Sequence, residues 1–325
     1  MTTAPATPPV RTRAVESSRN WPLVDRLMLA CCWVAGVTAC LIAFSIVLYM
    51  AFKGLQYLSP SLFVERPNAE FDQSKSGGFL DPLVGTLILT IMGTLIAIPI
   101  AVATAVWITE YGRPFWLART VESGVEIIAG TPSIVLAIFG LIIFQERIFG
   151  FLSFEAEGGS VFGRSFFTAA AMMSLIALPL IVGSTREGLQ AIPGHVREAS
   201  YALGKTKAAT IRRVLLPSLR APISTGTALG MGRIAGDTAI VVILLGASLQ
   251  LQGYGEVPGL STLRGTGSTL TSYVYTNSPA GEGSAPEKAY AAAVVLLVIA
   301  IGLNFVVDLF VRRDPTKAVT AAARR

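Results

Sequence analysis

Arg233 and Asp237 are the two charged residues that lie deep inside an apolar stretch of this 325-residue sequence. A charged side chain in hydrocarbon costs about 3 kcal/mol or more, so such residues usually face a polar pathway or one another. A spacing of four places both on one helix face, where they could pair. The planar arginine fork donates two parallel hydrogen bonds, which suits an oxyanion. The pattern therefore fits either an anion route, in which Asp237 accepts Arg233 between transport events, or a structural ion pair.

Glycines surround this pair at helical spacings. Gly226 and Gly230 form one Gly-x-x-x-Gly spacing, and Gly232 and Gly236 form another. Such spacings remove side-chain bulk from one helix face. They predict that this helix approaches another helix closely.

A second candidate lies in the run Gly130-Thr131-Pro132-Ser133. Proline removes a backbone donor, so the helix that contains it would be discontinuous. A half-helix beginning near Thr131 would direct free amides and a positive dipole end at an anion. Thr131 and Ser133 are therefore candidate pathway residues, although a plain kink without a ligand fits the same residues.

Six apolar stretches are long enough to position these groups within a bilayer. About 20 apolar residues cross a membrane as a helix, which satisfies its own backbone amides. The chain is 52% hydrophobic and 14% charged, whereas an ordinary soluble domain carries about 25% charged residues. We therefore expect an all-α integral membrane protein with six transmembrane helices. The predicted spans are 27–52, 83–109, 121–144, 166–183, 223–249 and 290–311.

Lys and Arg residues are unevenly distributed among the connections. With the N-terminus inside the cell, 18 of the 26 basic residues fall in internal segments and 7 in external ones. Internal loops are enriched in Lys and Arg, so both termini are predicted to be cytoplasmic. This asymmetry explains the net charge of +6 without a nucleic-acid partner. The expected organisation is a tail 1–26, a membrane domain 27–311 with a cytoplasmic loop 184–222 and an external loop 250–289, and a tail 312–325.

Neither a metal site nor a disulfide framework is indicated. Cys31, Cys32 and Cys40 lie in one apolar run without a Cys-x-x-Cys spacing, and His195 is the single histidine. Disulfide and zinc sites need several such residues at characteristic spacings. No cofactor is therefore expected.

The cytoplasmic loop carries the most specific pattern. Residues 195–203 are predicted to form a short helix broken at Gly204, and residues 207–215 a second helix ended by Pro217. Glu198-Ala199-Ser200 is followed by three residues, Gly204, nine residues and Val214-Leu215-Leu216-Pro217. This resembles the Glu-Ala-Ala, x3, Gly, x9, Ile-x-Leu-Pro motif of ABC importer permeases.

The resemblance implies that this loop forms a coupling helix in a cleft of a separate ATPase subunit. The coupling residues would be Glu198, Ala199, Gly204, Leu216 and Pro217. Arg197 and Glu198 could pair across that interface. A solvated hairpin that merely connects two spans is the alternative.

Residues 199–206 also match a relaxed phosphate-binding loop, Ala-x-x-x-x-Gly-Lys-Thr. Such a loop needs a buried strand before it and a helix after it. The approach through residues 189–194 and the short distance between two spans do not fit. The chain is therefore expected to be a transport subunit and not itself an ATPase.

Two further stretches resemble phosphate ABC permeases of the PstA and PstC type. Residues 232–239 resemble their Gly-Arg-x-x-Gly-Glu-Thr-Ala stretch, with Asp237 in place of Glu. Residues 130–135 are similar to their Gly-x-Pro-Ser-Ile-Val segment, and the Pro-Glu-Lys-Ala-Tyr-Ala entry to span six favours PstA. The resemblance covers about residues 80–311.

This resemblance implies a permease of the MetI-like type in the inner membrane. Its partners would be an ATPase subunit in two copies, a second permease of the PstC type and an external phosphate-binding protein. Two alternatives stay open from the residues alone. Arg233 would serve sulfate, molybdate or tungstate equally, and Arg233 with Asp237 could gate an ion-coupled secondary carrier.

Overall fold

The computed structural model describes residues 22–67, 77–154, 162–246, 251, 260–279, 281 and 285–312. Within these ranges the regular structure is helical. The α-helices are α1 Leu23–Tyr57, α2 Leu80–Val106, α3 Phe115–Gly130, α4 Ser133–Phe144, α5 Phe166–Ala191, α6 Gly194–Ala202, α7 Lys207–Thr210, α8 Leu216–Ser218, α9 Arg220–Gly236, α10 Leu260–Arg264, α11 Leu270–Asn277 and α12 Pro286–Arg312. Short π-helical segments cover Trp107–Tyr111, Ile211–Leu215 and Val241–Leu245, and 3₁₀ turns cover Pro60–Phe63 and Arg147–Leu152.

The chain divides into two compact units, Met1–Phe52 and Lys53–Arg325. In the first unit the helical residues described belong to α1, where large apolar side chains such as Trp33 and Phe44 are exposed. Exposed apolar side chains along a whole helix are favourable in hydrocarbon. Residues 1–21 and 313–325 of the two predicted tails, and most of residues 247–259 and 280–284 in and beside the predicted external loop, lie outside the described residues.

Four helices in the described part of the chain are long and apolar enough to cross a membrane. They are Leu23–Tyr57, Leu80–Tyr111, Phe166–Ala191 and Pro286–Leu309. Phe115–Gly130 and Ser133–Phe144 qualify only together, because they are bent by 110° at the break between them. The described residues thus give four candidate spans, or five if the bent pair counts as one, and the predicted number of six is not confirmed.

The predicted fifth span, 223–249, is not one continuous helix. Helix α9 ends at Gly236, and Asp237 is extended with φ −81° and ψ 128°. Helical structure resumes before the π-helical segment Val241–Leu245. Aspartate competes with the helix by bonding nearby backbone groups, which favours helix ends. A hydropathy window averages over such a break and does not detect it.

Helix α5 is the centre of the second unit. It packs against α2 and α9, and it continues to Ala191, eight residues beyond the predicted end of the fourth span. The buried side chains at these contacts include many alanines. They include Ala97, Ala101, Ala105, Ala169, Ala170 and Ala177. Small side chains allow membrane helices to approach closely, which is the main source of attraction between helices in lipid.

The first of the two glycine spacings makes the predicted close approach. A Cβ atom built on Gly226 would lie 2.9 Å from Ile181 Cα, and one on Gly230 would lie 3.1 Å from Ala177 Cβ. Nothing in the described chain lies within 4 Å of a Cβ atom on Gly232 or Gly236. Gly226 and Gly230 therefore form the contact between α9 and α5, whereas the second spacing has no partner within the described residues.

Replacing Gly226 with Ala should lower the free energy of unfolding by about 1–3 kcal/mol, because the added methyl group meets the α5 backbone. Gly232→Ala is the matched control on the same helix, since its methyl group meets no described atom within 4 Å. It should leave stability unchanged or raise it by up to about 1 kcal/mol through helix propensity. Thermal unfolding in detergent measures both variants. Equal unfolding midpoints for the two would contradict the proposed contact.

Candidate functional site

Two of the predicted pathway residues line one cavity. The cavity has a volume of about 300 Å³ and lies between the end of α3, the middle of α5 and the last turn of α9. At about 30 Å³ for each water, it could hold about ten waters or an oxyanion with part of its hydration shell. We call it the Arg233 cavity. Its lining residues are Ile128, Ala129, Thr131, Ile176, Pro179, Leu180 and Arg233.

The Arg233 cavity lies beside the middle of α5 and the last turn of α9. Arg233 is 13 residues from the start of α9, and Pro179 is 13 residues from the start of α5. At 1.5 Å per residue each is about 20 Å from the beginning of its helix. Among the described lining residues Arg233 carries a positive charge, Thr131 supplies a hydroxyl group, and there is no carboxylate. A cleft that carries charge of one sign attracts ions of the opposite sign, so this cavity favours an anion.

The break predicted at Gly130–Pro132 is confirmed. Helix α3 ends at Gly130, Thr131 is extended with φ −80° and ψ 130°, and α4 begins at Ser133. The Thr131 hydroxyl donates to the Ile127 carbonyl at 2.7 Å, so its oxygen keeps acceptor capacity toward the cavity. Ser133 does not line the cavity. An anion-binding role for the first turn of α4 stays a prediction.

The predicted pairing of Arg233 with Asp237 is wrong for this structure. Arg233 is exposed, and no described residue forms a hydrogen bond or an ion pair with it. Asp237 is 8% exposed, and its Oδ1 accepts a hydrogen bond from the Ile240 amide at 3.0 Å. An i, i+4 pair needs a continuous helix, and α9 ends between the two residues. Asp237 instead caps the turn that follows, and Arg233 lines the cavity without an ion pair to any described residue.

The short helix predicted over residues 195–203 is present as α6, and its role in coupling stays a prediction. Glu198 and Ala199 are exposed on it, and Gly204, which follows with φ +73°, is exposed as well. The positive φ explains the glycine, because L-residues adopt this region at a cost. Leu203 beside it is 77% exposed, the highest value among large apolar side chains of this loop. The result is an exposed turn with an apolar tip.

The second half of the motif, residues 214–217, packs against a small apolar core. Leu216 is partly buried and packs on a small core formed by Leu189, Ile211, Leu215 and Leu219. Pro217 does not end the second helix as predicted. It lies at the start of the helical turn Leu216–Ser218, where a missing backbone donor is harmless.

The turn between the two halves is held by hydroxyl groups. Ser200 and Thr210 are buried and share a hydrogen bond of 2.8 Å between their side-chain oxygens. Thr206 caps α7 by accepting from the Ala209 amide. Residues 199–206, which match the phosphate-loop pattern, thus lie in α6 and its following turn and are not preceded by a strand.

Arg197 is not available to the interface predicted for it. Its guanidinium contacts Glu110 Oε1 at 2.9–3.0 Å and donates to the carbonyls of Leu189 and Ile192 at 2.9 Å each. Sequence reasoning missed Glu110, which is 87 residues away from Arg197. One signal was present: an acidic residue at the C-terminal end of an apolar helix opposes the helix dipole and needs a cationic partner.

Comparison with known proteins agrees with this architecture. The family model for the binding-protein-dependent transport system inner membrane component matches residues 97–313. The chain is 31% identical over 230 residues to the phosphate transport system permease protein PstA of Mycobacterium leprae, and the aligned region covers 70% of this chain and 69% of that protein. It is 33% identical over 190 residues to the phosphate transport system permease protein PstC of Pasteurella multocida, which covers 54% of this chain and 59% of that protein.

Solved structures share the fold. A bacterial ABC transporter involved in the import of the acidic polysaccharide alginate has a TM-score of 0.60 at 16% identity, covering 90% of this chain and 98% of that chain. The inward-facing MetNI methionine ABC transporter has a TM-score of 0.51 at 22% identity, covering 72% and 93%. The expected all-α membrane fold of the ABC importer permease type and the resemblance to PstA and PstC are therefore confirmed. The chain belongs to the family of binding-protein-dependent transport system inner membrane components.

Proposed function

We propose that the chain is a permease subunit of an ATP-driven importer for inorganic phosphate and forms half of its translocation pore. The observation that carries the proposal is the Arg233 guanidinium on a cavity whose described lining residues include no carboxylate, in a chain related to proteins named phosphate transport permeases. Arginine binds a tetrahedral oxyanion through two parallel hydrogen bonds. Arg233 contacts phosphate in passage, and Thr131 lines the same route.

ATP hydrolysis takes place on a separate ATPase, present in two copies. Its cleft receives the exposed turn around Glu198, Ala199 and Gly204, while Leu216 and Pro217 support that turn from the membrane side. Both termini of the chain lie on the ATPase side of the membrane. ATP binding closes the ATPase pair, moves the two coupling helices and alternates the access of the pore.

Two further proteins complete the importer. A second permease, unlike this chain and of the PstC type, supplies the other half of the pore. An external binding protein delivers phosphate, as expected for a family defined by binding-protein-dependent transport. A structural neighbour, the bacterial alginate transporter, has been solved with its substrate-bound periplasmic protein.

The test is reconstitution of the chain with these three partners in proteoliposomes. We call the exposed turn around Glu198, Ala199 and Gly204 the coupling turn. Labelled phosphate should accumulate only when ATP is supplied on the side of the coupling turn and the binding protein is supplied on the other side. Excess sulfate, molybdate or tungstate should leave this accumulation unchanged. Competition by one of those ions would assign a different oxyanion, and uptake that follows an ion gradient without ATP would assign a secondary carrier.

A further inference from the structure

Charged side chains outside the family motif bind the end of α2 to α6. The Glu110 side chain is 7% exposed and the Arg197 side chain is 21% exposed. Glu110 belongs to the π-helical extension Trp107–Tyr111 of α2, whereas Arg197 lies in the middle of α6. Two contacts from Arg197, through Nε and Nη2, converge on one oxygen of the Glu110 carboxylate.

Lys207, the first residue of α7, strengthens the same junction. Its ammonium group donates to the Glu110 carbonyl oxygen and lies 4.6 Å from the centre of the Tyr111 ring. A cation at this position also interacts favourably with the C-terminal end of the helix dipole. Helices α6 and α7 are thus both bound to the last turn of α2.

The remaining donors of Arg197 bind the end of α5. They reach the carbonyl of Ile192 and that of Leu189, which also accepts a hydrogen bond from the Ile192 amide at 3.4 Å. Helix α5 is joined to α6 through only two intervening residues, so it would follow α6 in any case. Helix α2 ends more than 80 residues earlier in the chain. Its links to α6 are therefore non-covalent: the direct ion pair of Glu110 with Arg197, and the packing of α2 against α5.

At its middle, α2 touches the helix that carries Arg233. A Cβ atom built on Gly93 would lie 3.1 Å from Ile234 Cδ1 and 3.4 Å from Met173 Cβ. Gly93 is 17 residues before Glu110, which is about 25 Å along a helix. Helix α2, with Pro99 in its interior and the π-helical extension at its end, therefore runs from the contact with Arg197 to Ile234, the residue next to Arg233.

Resting on the function proposed above, we infer that Glu110 is a positioning residue for energy coupling. Its carboxylate makes α2 move together with α6, and α2 in turn moves the α9 wall of the Arg233 cavity. Without the charge of Glu110 the ATPase still docks on the exposed turn. The movement of α6, however, is no longer transmitted to α2. The ratio of phosphate transported to ATP hydrolysed then falls.

The experiment compares wild type, Glu110→Gln and Glu122→Gln in the reconstituted importer. Glu122 pairs with Arg186 between α3 and α5, outside the coupling motif, with both side chains about one-third exposed. We expect Glu110→Gln to lower the phosphate-to-ATP ratio about fivefold or more, in the range of typical coupling energies. Glu122→Gln should change it by less than about twofold, as expected for a partly exposed pair.

A merely structural role for Glu110 predicts that transport and ATP hydrolysis fall together at a constant ratio, and this result would overturn the inference. If Glu110→Gln reduces the amount of assembled complex, Arg197→Lys decides the same question, because lysine keeps the charge but lacks the planar fork whose Nε, Nη1 and Nη2 make these contacts. The double variant should be no worse than the more affected single variant, since the two residues act through one contact. Failure of the wild-type complex to transport phosphate with ATP would instead reject the proposed function.

Discussion

Replacing Arg233 with Ala is expected to reduce ATP-driven phosphate uptake about a hundredfold. Hydrogen bonds to charged groups contribute up to about 3 kcal/mol, and each 1.4 kcal/mol corresponds to about a factor of ten in rate. Arg233 supplies the positive charge among the described residues that line the cavity. Initial rates of labelled phosphate uptake in proteoliposomes measure the effect.

Two further variants are needed to interpret this measurement: a conservative substitution at Arg233 and a control at an exposed arginine. Arg233→Lys should retain part of the uptake, because lysine keeps the charge but loses the planar fork. Arg113→Ala removes an exposed arginine that lies between α2 and α3, and uptake should stay at the wild-type level. Normal uptake in Arg233→Ala would show that phosphate does not pass this guanidinium.

Replacing Leu203 with Asp is expected to abolish stable association with the ATPase subunit. Leu203 is 77% exposed at the tip of the coupling turn. Burying a leucine side chain contributes about 1.5–3 kcal/mol, and an unpaired carboxylate in the same pocket would cost more. The expected loss of affinity is therefore about a hundredfold or more. Co-purification in mild detergent with mass identification of the bound chains measures it.

Ile148→Asp is the matched control for Leu203→Asp. Ile148 is 76% exposed and lies in the turn Arg147–Leu152, which the predicted topology places on the external side. The same polar substitution there should leave the ATPase bound in wild-type amounts. If both variants lose the ATPase, the loss reflects general destabilisation, and if neither does, the coupling turn is not the docking site.

The sequence predicted those features that depend on residues close together in the chain. The break at Gly130–Pro132 follows from a missing backbone donor and the residues beside it. The exposed turn at Gly204 follows from the conformations that glycine allows, and the structure gives this residue a φ of +73°. The contact of Gly226 and Gly230 with α5 follows from the absence of side chains on one helix face.

The prediction failed where two local tendencies compete. Residues 223–249 are apolar enough for one span, yet Asp237 ends helix α9 and bonds the Ile240 amide. The assumption of a continuous helix then produced a second error, the pairing of Arg233 with Asp237. Hydropathy gives the average preference of a segment for lipid, whereas a single capping residue decides where its backbone turns.

The sequence by itself determined that this chain is an all-α membrane protein, that residues 198–217 resemble the loop motif of ABC importer permeases, and that Arg233 is its candidate anion-binding residue. Only the tertiary structure decided that Thr131 and Arg233 share a cavity and that Glu110 holds Arg197. The physical reason is distance along the chain. Helix breaks, turns and apolar spans arise from neighbouring residues, but a cavity wall or a charge pair joins residues about 90–100 positions apart, and the packing of α2, α5 and α9 sets their geometry.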